Sequence, residues 1–238
     1  SSSRKHGVTR RAMEGWLRKR GAKIRPWRRR YFKFYDGHMR YFEDEKATIM
    51  KGEASISLGD YILPVPDDAY GQPNCFELVC ANRKYILASD DELTCKKWVQ
   101  VTRDYISERL SFYLYHNDLT CICSIKDAVE VSDGKKSWVA YNISCDNDAI
   151  HWTVQRRYRE FLDLNKKLHS KFGSVLKSLC IHAFPSYTIG KASGLEIKRR
   201  RAAFEAYLHK MLTIPATATC IDLLTFLGVA RNQSNASA

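Results

Sequence analysis

The spacing of the apolar residues changes along the chain, and this change limits the possible folds more than any other feature of the sequence. Residues 12–90 contain seven short runs rich in aromatic and β-branched residues, and the Asp36-Gly37 step is typical of a hairpin turn. A capping-box sequence at residues 89–92, with Ser89 as its first residue, then introduces helical spacing. The sequence therefore predicts a seven-stranded β-barrel or sandwich, capped by a C-terminal helix that ends near residue 108.

The second half of the chain repeats this order with fewer strands. Three strand-like runs come first, at residues 120–131, 137–145 and 149–158. Helical spacing follows from Phe161, and a second helix is predicted to start at a capping box that begins with Ser193 and to stop at Pro215. We expect a three-stranded antiparallel sheet packed on a helical subdomain. The whole order predicts two α+β domains, at residues 12–108 and 110–230, rather than an alternating βαβ sheet.

The net charge of +13 comes from 39 Lys and Arg residues against 26 Asp and Glu residues. The positive charge is concentrated in two stretches, residues 4–30 with +11 and residues 156–201 with +9, and the rest of the chain carries −7. This charge indicates an anionic partner, which leaves nucleic acid, an anionic membrane surface or an acidic protein. No uncharged apolar run reaches the roughly 18 residues of a membrane span. Eight scattered cysteines favour a cytosolic protein with reduced, buried thiols over a disulfide framework or a zinc site.

The first basic patch lies on two predicted strands and the loop between them. Side chains alternate along a strand, so Arg28 and Arg30 point to one face and Arg29 to the other. Lys19 at the end of the preceding strand and Lys23 in the loop can converge with the first two arginines. Several cations around one cavity suit a multiply phosphorylated headgroup. The alternative interpretations are a solvated basic hairpin and a hairpin that binds RNA.

The same segment resembles a pleckstrin homology (PH) domain. The residues that carry the resemblance are Gly15-Trp16-Leu17, Lys19, Gly21, the run from Trp27 to Phe32, and Trp98 in the predicted helix. Lys19, Arg28 and Arg30 match the pattern of PH domains that bind 3-phosphorylated inositides. Similarity to the cytohesin PH domains further implies that Tyr41 and Lys51 contact the headgroup.

The second patch centres on the sequence RRYREF at residues 156–161, where a predicted strand ends and a helix begins. An arginine pair beside a tyrosine can hold a phosphate while the ring packs on a sugar-like face. The alternative is that Tyr158 and Phe161 are core residues and the arginines are solvated. The sequence resembles the phox homology (PX) signature, and the resemblance covers roughly residues 118–228. It implies that Arg157 holds the 3-phosphate of phosphatidylinositol 3-phosphate, that Tyr158 packs under the inositol ring, and that Arg200 holds ring hydroxyls.

The resemblance to PX domains has a gap. Tyr187 stands where the family usually has a lysine that binds the 1-phosphate, and Lys191 in the same loop is the candidate substitute. Residues 198–201 place four cations in the first turns of a helix, where the helix dipole disfavours positive charge. This placement suggests that an anion compensates for them.

These patterns predict a non-enzymatic, phosphoinositide-binding peripheral membrane module. We expect the PX pocket to bind phosphatidylinositol 3-phosphate, and the PH pocket a 3-phosphorylated polyphosphoinositide, on endosomal or plasma membranes facing the cytoplasm. No phosphate-binding glycine loop or metalloprotease motif, and no nucleic-acid recognition motif, is present. The sequence therefore predicts no catalytic residue, metal, cofactor or nucleic-acid partner. The alternatives are a protein-interaction adaptor whose lipid pockets are degenerate and the targeting fragment of a larger enzyme such as a phospholipase.

Overall fold

The computed structural model describes residues 12–21, 26–80, 83–116, 121–147, 150–177, 184–185 and 192–229. The chain divides into two compact units, residues 1–112 and 113–238, and each is described by itself. None of the described helices is both long enough and apolar enough to cross a membrane. The seven cysteines among the described residues are buried free thiols.

The first unit is a seven-stranded antiparallel sheet followed by a helix, as the sequence predicts. The sheet order is β4-β3-β2-β1-β7-β6-β5, so strands from the two ends of the unit meet where β1 pairs with β7. The elements are β1 (Ala12–Arg20), β2 (Trp27–Tyr35), β3 (His38–Phe42), β4 (Met50–Ser55), β5 (Tyr61–Pro64), β6 (Cys75–Cys80), β7 (Arg83–Ala88) and α1 (Glu92–His116), with a short 3-10 turn at Asp67–Ala69.

The start and the end of α1 both differ from the prediction. Asp91, rather than Ser89, is the N-cap, because its carboxylate accepts hydrogen bonds from the Thr94 N–H (2.8 Å) and hydroxyl (2.6 Å). The Ser89 hydroxyl instead donates to the Asp91 carbonyl. The helix continues to His116 rather than ending near residue 108, since its sequence contains no glycine or proline that would end it.

The core of the first unit shows which way the side chains of β2 point. Phe32 and Phe34 are buried together with Leu78 of β6 and Trp98 of α1. The intervening residues of β2 therefore face outward, whereas Arg28 and Arg30 share the face of Phe32 beyond the end of the core. The Asp36-Gly37 turn closes the β2–β3 hairpin with positive φ at both positions, 45° and 80°, as this dipeptide predicts.

The second unit is a three-stranded antiparallel sheet followed by helices, also as predicted. The strands lie in the order β10-β9-β8. The elements are β8 (Ile122–Ser132), β9 (Ser137–Asp146), β10 (His151–Arg157), α2 (Tyr158–Lys177), α3 (Gly194–Leu212), α4 (Pro215–Ala218) and α5 (Ile221–Leu227). Ser193 and Glu196 form the predicted capping box of α3. Pro215 begins the short helix α4, three residues after α3 ends.

An aromatic cluster joins the sheet of the second unit to its helices. The rings of Phe161 and Phe204 stack in parallel, with centroids 3.8 Å apart, and Tyr141 of β9 packs edge-on against both. Helix α3 also covers the free edge of β8 through three side-chain to backbone hydrogen bonds, which protects an otherwise unpaired strand edge. These bonds join Glu205 to the Ile125 N–H, His209 to the Cys123 carbonyl and Arg201 to the Lys126 carbonyl.

Candidate functional sites

Four cations lie at one end of the sheet in the first unit. Because neighbouring strands run in opposite directions, the β1–β2, β3–β4 and β6–β7 connections are all at this end. Lys19 near the end of β1, Arg28 and Arg30 near the start of β2, and Arg83 at the start of β7 therefore point toward a common region. We call these four residues the cationic cluster.

The pKa of Lys19 reflects both its burial and the charges around it. Burial lowers the pKa of Lys19, and the charges of Arg83, Arg30 and Arg28 lower it further. The Lys19 ammonium lies 5.0 Å from the ring centre of Tyr41. Among the residues that the structure describes, no carboxylate forms an ion pair with Lys19, Arg28 or Arg30. Arg30 donates a 2.8 Å hydrogen bond to the Arg29 carbonyl, so within the described part of the chain these three cations contact a carbonyl and an aromatic ring but form no ion pair.

Lys51 lies next to the cluster but has a carboxylate partner. A β-bulge leaves it as the extra residue between Met50, which pairs with Phe42, and Gly52, which pairs with Tyr41. Its ammonium contacts the Glu43 carboxylate at 2.7 Å, and this hydrogen bond lowers the pKa of Glu43. A phosphate that binds Lys51 would have to compete with Glu43.

Arg29 lies on the outer face of the same hairpin, as the alternation predicts. Its guanidinium lies 4.8 Å from the ring centre of Trp16 and forms a 3.4 Å ion pair with Asp90. The run of three arginines is thus divided between two faces, and only Arg28 and Arg30 join the cluster.

The sequence prediction omitted Arg83, and one predicted residue cannot be placed. Arg83 reaches the cluster because β7 pairs with β1, a long-range contact that no local pattern indicates. Lys23 lies outside the described residues, so its predicted role stays a prediction.

In the second unit, two of the predicted site residues contact each other. The Arg200 guanidinium lies 4.8 Å from the ring centre of Tyr158, and Arg200 is only 4% exposed. The Tyr158 hydroxyl donates a 2.9 Å hydrogen bond to the Pro185 carbonyl. Tyr158 therefore brings together the start of α2, helix α3 and the Phe184-Pro185 segment.

The two arginines before Tyr158 have different environments. Arg156 donates hydrogen bonds to the carbonyls of Phe226 (2.8 Å) and Thr225 (3.3 Å) at the end of α5, so its charge caps that helix. Arg157 is exposed and points to the opposite face of β10, where its guanidinium lies 3.5 Å from the ring centre of Trp138. Arg157 thus contacts the ring of Trp138, whereas Arg200 contacts the ring of Tyr158.

Two of the four cations at the start of α3 have partners within the protein, which weakens the interpretation that an external anion compensates for all of them. Arg201 donates to the Lys126 carbonyl at 2.8 Å. Arg200 packs on Tyr158 and lies 3.9 Å from the Glu196 carboxylate. Tyr187 and Lys191, the residues at the gap in the PX resemblance, lie outside the described part of the chain.

Comparison with known families agrees with this architecture. A family model described as PH domain matches residues 11–107, and one described as PX domain matches residues 146–230. The chain therefore contains a PH domain followed by a PX domain.

Individual relatives match one part of the chain each. Pleckstrin homology domain-containing protein 1 of Arabidopsis thaliana is 32% identical over 89 residues, which are 36% of this chain and 61% of that protein. Sorting nexin-1 of Bos taurus is 31% identical over 126 residues, which are 46% of this chain and 23% of that protein. The chain thus spans less than two thirds of either relative. A designed CISK-PX domain of known structure is 24% identical, with a TM-score of 0.40 over 44% of this chain and 97% of that domain.

Proposed function

We propose that this chain is a non-enzymatic peripheral membrane module that binds phosphoinositides and acts in membrane trafficking or signalling. Its PH domain binds a 3-phosphorylated polyphosphoinositide, and its PX domain binds phosphatidylinositol 3-phosphate. The membranes are endosomal or plasma membranes, approached from the cytoplasm. Similarity to a sorting nexin supports a role in trafficking.

The cationic cluster of the PH domain is the observation that carries the proposal. Burial disfavours the charged form of Lys19 in the unliganded protein, and the charges of Arg83, Arg30 and Arg28 disfavour it further, so the pKa of Lys19 is lowered. A ligand with several phosphates removes the repulsion and accepts charge-assisted hydrogen bonds from each cation. An anionic leaflet adds about 1 kcal/mol for every Lys or Arg that comes near its surface.

The PX domain supports the proposal through a pocket that is partly assembled. Tyr158 and Arg200 are already in contact, and the Tyr158 hydroxyl fixes the Pro185 segment beside them. Arg157 is exposed, so it can leave Trp138 for a phosphate without disturbing the core. Two headgroup sites in one chain also raise the overall affinity, since the second contact is intramolecular once the first has formed.

The proposal is tested by vesicle pelleting with the whole chain. We expect vesicles that carry phosphatidylinositol 3-phosphate to retain the protein, and Arg157→Ala to weaken this retention by about 2–5 kcal/mol, the cost of removing one partner of a charge-assisted phosphate contact. Arg156→Lys is the control at the neighbouring position. Retention that is equal with and without phosphoinositides would contradict the proposal, and no retention on any vesicle would contradict it and favour a protein-interaction adaptor.

A further inference from the structure

The Tyr41 side chain lies across the backbone of β4 at a position where that strand has no side chain. Tyr41 and Gly52 are cross-strand partners in the β3–β4 pair. A Cβ atom placed on Gly52 would lie 2.6 Å from Cζ of Tyr41 and 3.0 Å from its Cε1, and closer still to its hydroxyl oxygen. Carbon atoms in contact are normally about 3.5–4.0 Å apart. The Tyr41 ring can therefore occupy this place only while residue 52 is glycine.

The Tyr41 ring also rests on the core of the PH domain. It stacks on Phe32, with ring centroids 5.3 Å apart and an interplanar angle of 30°. Phe32 is itself fully buried and packs edge-on against Trp98 of α1 at 6.4 Å. Because a close-packed core leaves no space for a ring to move into, a methyl group at position 52 would push Tyr41 toward the surface.

The same ring packs against a cation of the cationic cluster. The Lys19 ammonium lies 5.0 Å from the centre of the Tyr41 ring. A lysine side chain is long and has many rotamers, so a ligand that binds it must ordinarily pay for ordering it. The ring reduces this cost because it holds the ammonium in one place before the ligand arrives. The position of the Tyr41 ring thus determines where Lys19 presents its charge.

We propose that Gly52 is a positioning residue of the PH site, because it leaves the space that keeps the Tyr41 ring against Lys19 in the arrangement that binds a phosphoinositide headgroup. This inference rests on the proposed function of the PH domain. Gly52 has no side chain to present to a ligand, so it acts through Tyr41 and Lys19. No local sequence pattern indicates this role, since it depends on the residue that faces Gly52 on the neighbouring strand.

Gly15 of β1 provides a matched control for the test. The two glycines lie in strands of the same sheet with nearly equal φ, 158° for Gly52 and 157° for Gly15, but a Cβ atom on Gly15 would meet no described atom within 4 Å. The two alanine substitutions therefore share a backbone conformation and differ in the contact with Tyr41. In calorimetry with the full chain and the soluble headgroup, inositol tetrakisphosphate, we expect Gly52→Ala to weaken binding about tenfold, as for the loss of one hydrogen bond to a charged group. Gly15→Ala should stay within about twofold of the wild type.

A double variant separates positioning from a general loss of stability. Tyr41→Leu removes the ring that the new methyl group would displace, so adding Gly52→Ala to it should cost no further affinity. This double variant should also fold when Gly52→Ala alone does not. An additional tenfold loss in the Tyr41→Leu background would overturn the proposal, because Gly52 would then act independently of the ring.

Nuclear magnetic resonance reports the position of Lys19 directly. The ring current of Tyr41 shifts the ε-methylene protons of Lys19 upfield, and Gly52→Ala should move this signal toward that of an exposed lysine, whereas Gly15→Ala should not. An unchanged Lys19 signal with unchanged headgroup affinity in Gly52→Ala would overturn the positioning role and leave the proposed function intact. If the wild type binds no headgroup, the proposed PH function is wrong and the role of Gly52 in it is wrong as well.

Discussion

The PH and PX domains have similar numbers of basic residues in their candidate sites but use them differently. In the PH domain, Lys19, Arg28 and Arg30 converge and form no ion pair with any described carboxylate. In the PX domain, Arg156 caps helix α5 and Arg201 binds a strand carbonyl. The number of basic residues in a motif therefore does not give the charge available to a ligand, since carbonyls distant in sequence can accept hydrogen bonds from its arginines.

The difference has a consequence for affinity. The PH cluster is preorganised and repulsive, so its ligand relieves an unfavourable contact as it binds. In the PX domain, Arg157 must give up its contact with Trp138 before it can hold a phosphate. We therefore expect the PH domain to contribute more of the headgroup affinity of the tandem than the PX domain.

The largest effect on ligand binding is expected when an arginine is removed from the face of β2 that belongs to the PH cluster. Arg30→Ala should weaken binding of soluble inositol tetrakisphosphate by about 2–5 kcal/mol, because it removes one partner of a charge-assisted phosphate contact. Arg29→Ala should change the affinity little, since Arg29 is engaged with Trp16 and Asp90 on the outer face. Calorimetry measures the affinity of both variants for inositol tetrakisphosphate. Equal losses of affinity would mean that the ligand binds a diffuse basic surface instead of a pocket.

In the PX domain, we expect substitution of one arginine to lower stability and substitution of its neighbour to leave stability nearly unchanged while weakening ligand binding. Arg156→Ala should lower the free energy of unfolding of this domain by about 1.5–3 kcal/mol, because it deprives the α5 carbonyls of a charged donor. Arg157→Ala, at an exposed position, should leave stability nearly unchanged. Hydrogen exchange of the β10 and α5 amides measures the effect within this domain. Similar protection in both variants would show that Arg156 is not structural.

A smaller effect is expected where Tyr158 holds the Pro185 segment. Tyr158→Phe removes the hydroxyl that donates to the Pro185 carbonyl and keeps the ring that contacts Arg200. Stability should fall by about 1 kcal/mol, the usual contribution of one hydrogen bond. Binding of phosphatidylinositol 3-phosphate should weaken less than in Arg157→Ala. An equal loss would indicate that the hydroxyl itself contacts the ligand.

Most of the architecture could be predicted from local sequence patterns. The change from strand to helical spacing correctly predicted the order of both sheets and their helices. The hairpin turn at Asp36-Gly37 and the capping box that begins with Ser193 also formed as expected. The start of α1 could not be predicted as well, because both Ser89 and Asp91 suit an N-cap and only the backbone geometry chooses between them. The prediction that α1 ends near residue 108 was wrong, because the helix contains no glycine or proline before His116.

The candidate sites were less predictable than the fold. The alternation of β2 separated Arg29 from its neighbours, since it depends only on strand geometry. Arg83 was missed because its place depends on the pairing of β7 with β1. The contact of Arg157 with Trp138, and the bonds that occupy Arg156 and Arg201, likewise depend on distant residues.

The smallest predicted effect tests the repulsion within the PH cluster itself. Burial and three arginines lower the pKa of Lys19, so its charged form is disfavoured in the folded state. Lys19→Met should therefore raise the stability of the PH domain by about 0.5 kcal/mol at neutral pH and low salt, while abolishing its contact with phosphate. The unfolded chain binds the Lys19 proton more tightly than the folded one, so wild-type stability rises with pH between the lowered and the ordinary pKa. The stability advantage of Lys19→Met over the wild type should shrink over that same pH interval.

Lys33→Met is the matched control, because Lys33 forms a 3.2 Å ion pair with Glu14 on the outer face, and the loss of this ion pair should be slightly destabilising. Hydrogen exchange of the β1 and β2 amides across pH provides the measurement, and a destabilised Lys19→Met variant would mean that the cluster is not under electrostatic repulsion.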